Sequence, residues 1–431
     1  MLNKNYFDGD IKQIVNKLGS RNEETKKEVT DDVMKIINDV KKNGDKALIE
    51  YAKKFDNFTV TTNNDFIVSQ EEIEEGANAV GENFIRILER TKKQITDFHK
   101  NQVEKSWSLY KENGVIMGQI VRPLERVAVY VPGGTASYPS TVMMNVIPAQ
   151  IAGVKEIVMI TPVKENGRVA PVILAAAKVC GIKNIYKIGG AQAIAAVTYG
   201  TETIPKVDKI VGPGNIFVAT AKKCCYGKVD IDMIAGPSEV LVIADETANP
   251  KYVAADLMSQ AEHDKLASAM LITTSEKLAD ETNKEIQRQL AYLTRTEILE
   301  ESMKNYGGII ITNNLDEAFD IANEIAPEHL EILTENPLEK LSKVKNAGSI
   351  FLGENSPEPL GDYMSGTNHV LPTGGTAKFY SSLGVYDFVK YSSFSYYTKG
   401  VLETFKDDVI EFANLEGLDA HANSIRVRFE D

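Results

Sequence analysis

The chain of 431 residues is poor in reactive side chains, with three cysteines, five histidines and one tryptophan. Two of the cysteines, Cys224 and Cys225, are adjacent, so no disulfide framework is available and a reducing cytoplasm is the expected compartment. All three fall late in expected helices, where the negative end of the dipole disfavours a thiolate nucleophile. No apolar run approaches membrane-spanning length, and residues 1–10 lack the apolar centre of a signal peptide. Basic excess is missing too: 48 Lys and Arg stand against 61 Asp and Glu, a net charge of −13 that argues against nucleic-acid binding. Trp107 reads as a packing residue.

What is present is ordinary for a soluble enzyme, at 43% hydrophobic and 25% charged residues, and the length suits several domains. The first hundred residues read as charged helices. Val33, Ile36, Ile37 and Val40, then Phe84, Ile87, Leu88 and Ile95, recur at the three- and four-residue spacing of an amphipathic face. From Arg126 the pattern changes to strands alternating with helices, with strands expected at 127–131, 156–160, 184–188, 207–211 and 229–234. That alternation indicates a parallel sheet covered on both faces. A looser α/β series follows, with strands at 240–244, 269–273, 308–312, 329–333 and 349–352. After Pro372 the chain is rich in Ser, Tyr and Phe, and it ends in a helical segment, 400–412, and a short tail.

Three strand ends in the first series carry glycine before a helix: Gly133-Gly134, Gly189-Gly190 and Gly212-Pro213-Gly214. Such turns let backbone amides approach a phosphate. None fits a dinucleotide or P-loop fingerprint, and ordinary strand-to-helix turns need glycine as well. Gln260 and His263 lie three apart in 252–266, a segment that reads as one helix and so puts both on one face. With Asp362 and His421 they form a mixed nitrogen and oxygen set suited to zinc or manganese; a surface Gln/His pair and an Asp in a turn are the plainer alternative. Glu328-His329, after Pro327, pairs a carboxylate able to activate water with an imidazole able to take an alcohol proton. Adjacent strand residues face opposite ways, so both serve one pocket only at a strand edge. A surface Glu beside a half-buried His is equally consistent. His99 reads as a solvated helix residue, and His369 as one that orders its loop.

Eight segments together resemble histidinol dehydrogenases. They are 129–134 (VYVPGG), 188–196 (IGGAQAIAA), 211–215 (VGPGN), 232–239 (DMIAGPSE), 259–264 (SQAEHD), 326–330 (APEHL), 361–373 (GDYMSGTNHVLPT) and 416–421 (EGLDAH). The resemblance spans nearly the whole chain, with the segments in the family's order. It implies two incomplete Rossmann-like, aldehyde-dehydrogenase-like α/β units, with a helical N-terminal region and a small C-terminal extension. The implied domains are an extension over 1–22, a discontinuous α/β domain of 23–125 plus 239–380, an NAD-binding α/β domain over 126–238, and a C-terminal extension over 381–431.

The same resemblance implies one zinc per subunit held by Gln260, His263, Asp362 and His421, with Glu328 and His329 as the proton-transferring pair. Ser238, Glu416, His329 and the zinc ligands would touch the substrate, and Tyr130, Gln192 and Asn215 would hold NAD. It also implies a homodimer in which His421 and Glu416 act in the partner's site. The expected reaction is oxidation of L-histidinol to L-histidine through the aldehyde with two NAD⁺, at the end of histidine biosynthesis. The alternatives are another primary alcohol on the same scaffold, a non-redox zinc hydrolase with Glu328 as base, and a metal-binding protein without catalysis. One departure stands out. Lys378 and Ser382 occupy a loop where the family has arginine and glycine, and Lys lacks the planar fork of Arg.

Overall fold

A computed structural model of the chain describes residues 2–12, 15, 18, 27–133, 137–164 and 167–430. Gly134, and residues 1, 13, 14, 16, 17 and 19–22 of the expected N-terminal extension, lie outside the described residues. In chain order the strands are β1 (Lys4–Tyr6), β2 (Trp107–Tyr110), β3 (Ile116–Pro123), β4 (Arg126–Tyr130), β5 (Glu156–Thr161), β6 (Asn184–Lys187) and β7 (Lys209–Val211). There follow β8 (Asp230–Ile231), β9 (Glu239–Ala244), β10 (Ser268–Thr273), β11 (Gly308–Ile311), β12 (His329–Leu333), β13 (Ser349–Leu352) and β14 (Val389–Tyr396). The chain falls into two compact units, residues up to Gln102 with Leu124–Phe388, and Val103–Pro123 with Val389–Asp431.

The first unit holds two parallel sheets. One runs β6-β5-β4-β7-β8, the other β1-β11-β10-β9-β12-β13. Every residue of β9, β10 and β12 is buried. Their near-continuous apolar sequences follow from that, since helices cover both faces of a parallel sheet. From β4 in one sheet and from β9 in the other, the chain adds strands in one direction, then crosses back over that strand. The reversal falls between β4 and β7 in one sheet and between β9 and β12 in the other.

The N-terminal helices form as their spacing predicts. Val33, Ile36, Ile37 and Val40 are the buried face of Lys27–Asn43, and Leu88 and Ile95 lie on that of Glu82–His99. The resemblance groups 23–125 with 239–380. The buried residues of these helices instead share clusters with Val127, Ala128, Val129, Ile160, Ile173 and Ile194, from the block 126–238. Periodicity shows that a helix has an apolar face; it does not say which sheet receives it.

The second unit is a three-stranded antiparallel sheet, β14-β3-β2, with the helices Lys399–Leu415 and Asp419–Arg426. It joins most of the expected C-terminal extension to residues 103–123. Gly118 on β3 is required by close approach, because a Cβ there would stand 2.3 Å from the Trp107 carbonyl oxygen. Trp107 itself is 54% exposed, against the reading of it as a packing residue.

Phe66 is fully buried between the helical segment and the five-stranded sheet. Phe66→Ala removes that ring and leaves a cavity, so chemical unfolding should show a loss of about 3–5 kcal/mol.

Candidate active site

The site residues sit where two parallel strands begin side by side. β12 pairs with β9 so that His329 lies opposite Val240, which brings Glu328 and His329 next to Ser238 and Glu239. Glu328 immediately precedes β12, the strand-edge position that lets two consecutive side chains share one pocket.

His329 is 4% exposed. Its Nδ1 lies 2.9 Å from the Glu239 carbonyl oxygen. A carbonyl only accepts, so Nδ1 carries the proton and Nε2 keeps its lone pair. Burial pulls the imidazole pKa down to about 4, so the ring is neutral at pH 7. Among the described residues Nε2 has no hydrogen-bond partner, and the nearest acid is Glu358, whose Oε1 is 3.8 Å away. This is an imidazole set up to accept a proton at Nε2.

Glu328 is held by the backbone N–H of Glu239, which donates to Oε2 at 2.9 Å, and Oε2 is 3.6 Å from His329 Nδ1. Burial raises its proton affinity well above the carboxylate range, and the charges of Glu239, Asp362 and Glu358 add to that. Once ionised, such a carboxylate is a stronger base than one in water.

Gln260 is in the last turn of the helix Pro250–Ala261, almost fully buried, with its side-chain nitrogen Nε2 3.1 Å from His329 Nδ1; both atoms carry protons in this tautomer, so the approach is a close contact and not a hydrogen bond. The expected single helix over 252–266 stops at Ala261. Asp264 accepts from the Leu266 backbone N–H at 2.8 Å, a local turn that ends the helical ladder. His263 therefore follows the helix end, and its backbone N–H donates to the Gln260 carbonyl at 3.2 Å.

Asp362 comes from the short helix Glu358–Tyr363, and His369 Nδ1 lies 3.6 Å from its Oδ1. One ligand atom each from His329, Glu358 and Asp362 lie within 4.8 Å of one another. Glu358 and His369 are the members that the sequence does not mark. Glu358 is buried, receives the Ser259 hydroxyl at 3.3 Å, and has its carboxyl pushed up to about 9 by burial and then by Asp362. His369 reads from sequence as ordering its loop, and its place in the 361–373 segment is the available signal. The structure thus brings Gln260, Glu328 and Asp362 around His329, with Ser238 immediately before β9, while the donor atoms that converge within 4.8 Å are those of His329, Glu358 and Asp362 and not that of His263. Glu416 and His421 belong to the second unit, where both are exposed, at the end of Lys399–Leu415 and in Asp419–Arg426.

The other expected residues line the carboxyl ends of the five-stranded sheet. Tyr130 ends β4, and its hydroxyl accepts from the Gly190 N–H at 3.1 Å. Gln192 is buried in the first turn of Gly190–Tyr199. Asn215 follows β7 and caps Ile216–Cys225, accepting from Phe217 and Val218 at 3.1 and 3.2 Å. Tyr130 and Asn215 flank the point where strand order reverses, the usual ligand crevice of an open α/β sheet.

Residues 19–429 match the histidinol dehydrogenase family. The chain belongs to this family. It is 65% identical to the histidinol dehydrogenase of Lactococcus lactis, over the full length of both chains. The corresponding protein of Caldanaerobacter subterraneus is 57% identical over 96% of each. A crystal structure of histidinol dehydrogenase from Elizabethkingia anophelis superposes with a TM-score of 0.93 at 40% identity, covering 99% of this chain and 98% of that one. The family's α/β architecture with parallel sheets is the one described above. Among the described residues no helix is long and apolar enough to cross a membrane.

His99 corrects its reading as a solvated residue. It is fully buried, donates from Nδ1 to the Ile95 carbonyl at 3.0 Å, and accepts from Asn368 at Nε2 at 3.3 Å. This contact pegs the loop that carries His369. Burial lowers its pKa from 6.5 in the folded state. The unfolded chain therefore takes up the proton first, and stability is lost as pH falls below 6.5. His99→Gln should melt with a shallower decline between that pH and more acidic values than the parent, in thermal unfolding followed across pH.

Proposed function

We infer that the protein is an NAD-dependent histidinol dehydrogenase that oxidises L-histidinol to L-histidine through the aldehyde. The observation that carries this is the buried His329, with Nδ1 tied to a carbonyl and Nε2 open, beside the Glu328 carboxyl. His329 Nε2 takes the substrate hydroxyl proton as the first hydride leaves. Glu328 takes a proton from water as it adds to the aldehyde, and His329, having released its first proton to solvent, accepts the hydroxyl proton of the hydrate as the second hydride leaves for NAD⁺. Ser238, immediately before β9, and Glu416 are assigned to hold the substrate. Tyr130, Gln192 and Asn215 are assigned to the dinucleotide, at the crevice of the five-stranded sheet.

The donor set fits zinc. Gln260 Oε1 and Glu358 Oε1 are buried oxygens without a hydrogen-bond partner among the described residues, and an orphaned buried oxygen is costly unless something positive faces it. Gln260, His263 and Asp362 would hold the ion, with His421 from a second subunit. Bound there, zinc supplies a Lewis-acidic anchor that orients the substrate's nitrogen atoms. A homodimer supported by the second unit completes the reading. Trp107, Tyr110, Phe412 and Leu415 are exposed on it, a set of large apolar groups that a partner surface would cover.

The test is to count NADH formed per L-histidinol consumed, with and without a chelator. Two NADH per substrate are expected, with the activity lost on chelation and regained with zinc. His329→Asn should slow turnover by about 10²–10⁴ while zinc content is kept. Full activity in that variant would remove His329 from the mechanism. Mixing inactive His329→Asn and His421→Ala subunits should restore activity if His421 acts across the dimer, and a mixture that stays inactive rejects that arrangement.

A further inference from the structure

We propose that Lys222 and Asp232 are positioning residues for the dinucleotide, their buried ion pair fixing the turn 212–215 against the strand end that carries Tyr130. This rests on the reading of Tyr130, Gln192 and Asn215 as the NAD-holding residues.

β8 is an edge strand of two residues, pairing Asp230 with Lys209 and Ile231 with Ile210. The Asp232 backbone N–H adds one more bond, to the Ile210 carbonyl at 3.2 Å. Beyond that point the Asp232 side chain takes over from the ladder. Its Oδ2 accepts from the Gly212 N–H at 2.7 Å, and its Oδ1 accepts from the Met233 N–H at 2.7 Å. Lys222 Nζ donates to the Gly212 carbonyl at 2.9 Å and to Asp232 Oδ1. Both backbone polar groups of Gly212 thus end on one ion pair, whose side chains are 4% and 1% exposed.

Such burial is expensive unless both charges are fully paired, so a plain turn gains little from it. This turn is not plain. Gly212 has φ +108°, and a Cβ there would stand 2.2 Å from the Tyr130 carbonyl oxygen. The backbone after β7 is pressed onto the end of β4. Lys222 is on the helix that Asn215 caps. The chain therefore leaves β7, turns at Gly212, starts the helix at Asn215 and is tied back to Gly212 about two helical turns later. The pair sets the spacing between Tyr130 and Asn215. Neither charge reaches the crevice; both act through the backbone.

The experiment compares Lys222→Met, Asp232→Asn and the double variant, which leaves no unpaired buried charge, with the parent and with Asn215→Ala. Thermal melting checks the fold. NADH binding is followed by fluorescence titration without histidinol, and steady-state rates give KM for NAD⁺ and kcat. The folded double variant should bind NADH about tenfold or more weakly and raise KM for NAD⁺ to match, with kcat and KM for histidinol little changed. Parent-like NADH affinity in the folded double variant overturns the proposal. Should that variant fail to fold, Lys222→Arg keeps the charge but must re-aim at the Gly212 oxygen, and an unchanged NADH affinity there overturns it equally. If Asn215→Ala weakens NADH binding while the pair variants do not, only the ion-pair role fails. If Asn215→Ala has no effect either, the assignment of the dinucleotide site fails with it.

Discussion

The arrangement depends on one hydrogen bond between neighbouring strands, from His329 Nδ1 to the Glu239 carbonyl. Parallel pairing of β9 with β12 sets the register, and the register places an acceptor-only group beside one ring nitrogen. That choice decides the tautomer, and the tautomer decides which nitrogen can take a proton. The same residue, Glu239, uses its N–H to hold the Glu328 carboxyl. A single residue on β9 therefore orients both members of the proposed proton-transferring pair through its backbone.

Around that residue the protein concentrates acids where water is scarce. Glu239, Glu328, Glu331 and Glu358 are all buried, and their burial raises the proton affinity of Glu328, Glu331 and Glu358. Glu331 accepts the Glu358 backbone N–H at 2.9 Å and so helps to seat the helix that carries Asp362. Such a group of carboxyls is costly to bury without protons or a cation. The two parallel sheets contribute differently. One offers the carboxyl ends of β4 and β7, the other the amino ends of β9 and β12.

The elements are largely legible in the sequence. Strands expected at 329–333 and 349–352 are β12 and β13, and the apolar spacing of the N-terminal helices marks their buried faces. What escapes such a reading depends on particular turns and distant partners. The helix through 252–266 stops at Ala261 because Asp264 forms its own turn, which periodicity does not register. The antiparallel sheet of β2, β3 and β14 adds a strand from far along the chain to a local hairpin, with few buried positions to set a clear alternation. His99 is followed in the chain by Lys100, Asn101 and Gln102, yet it is sealed by Asn368, 269 residues away. Glu358, between two prolines, carries no local mark of a site.

By itself the sequence determined most of the strands and helices of the two parallel sheets, because those choices follow from side-chain periodicity and turn chemistry within a few residues. Through its ordered motifs it also marked the family and the residues to watch. Only the tertiary structure decided which nitrogen of His329 is open, that Glu358 and His369 stand beside Asp362, and which sheet receives the N-terminal helices. Those outcomes depend on strand register and on burial, and both arise from contacts between residues distant in the chain.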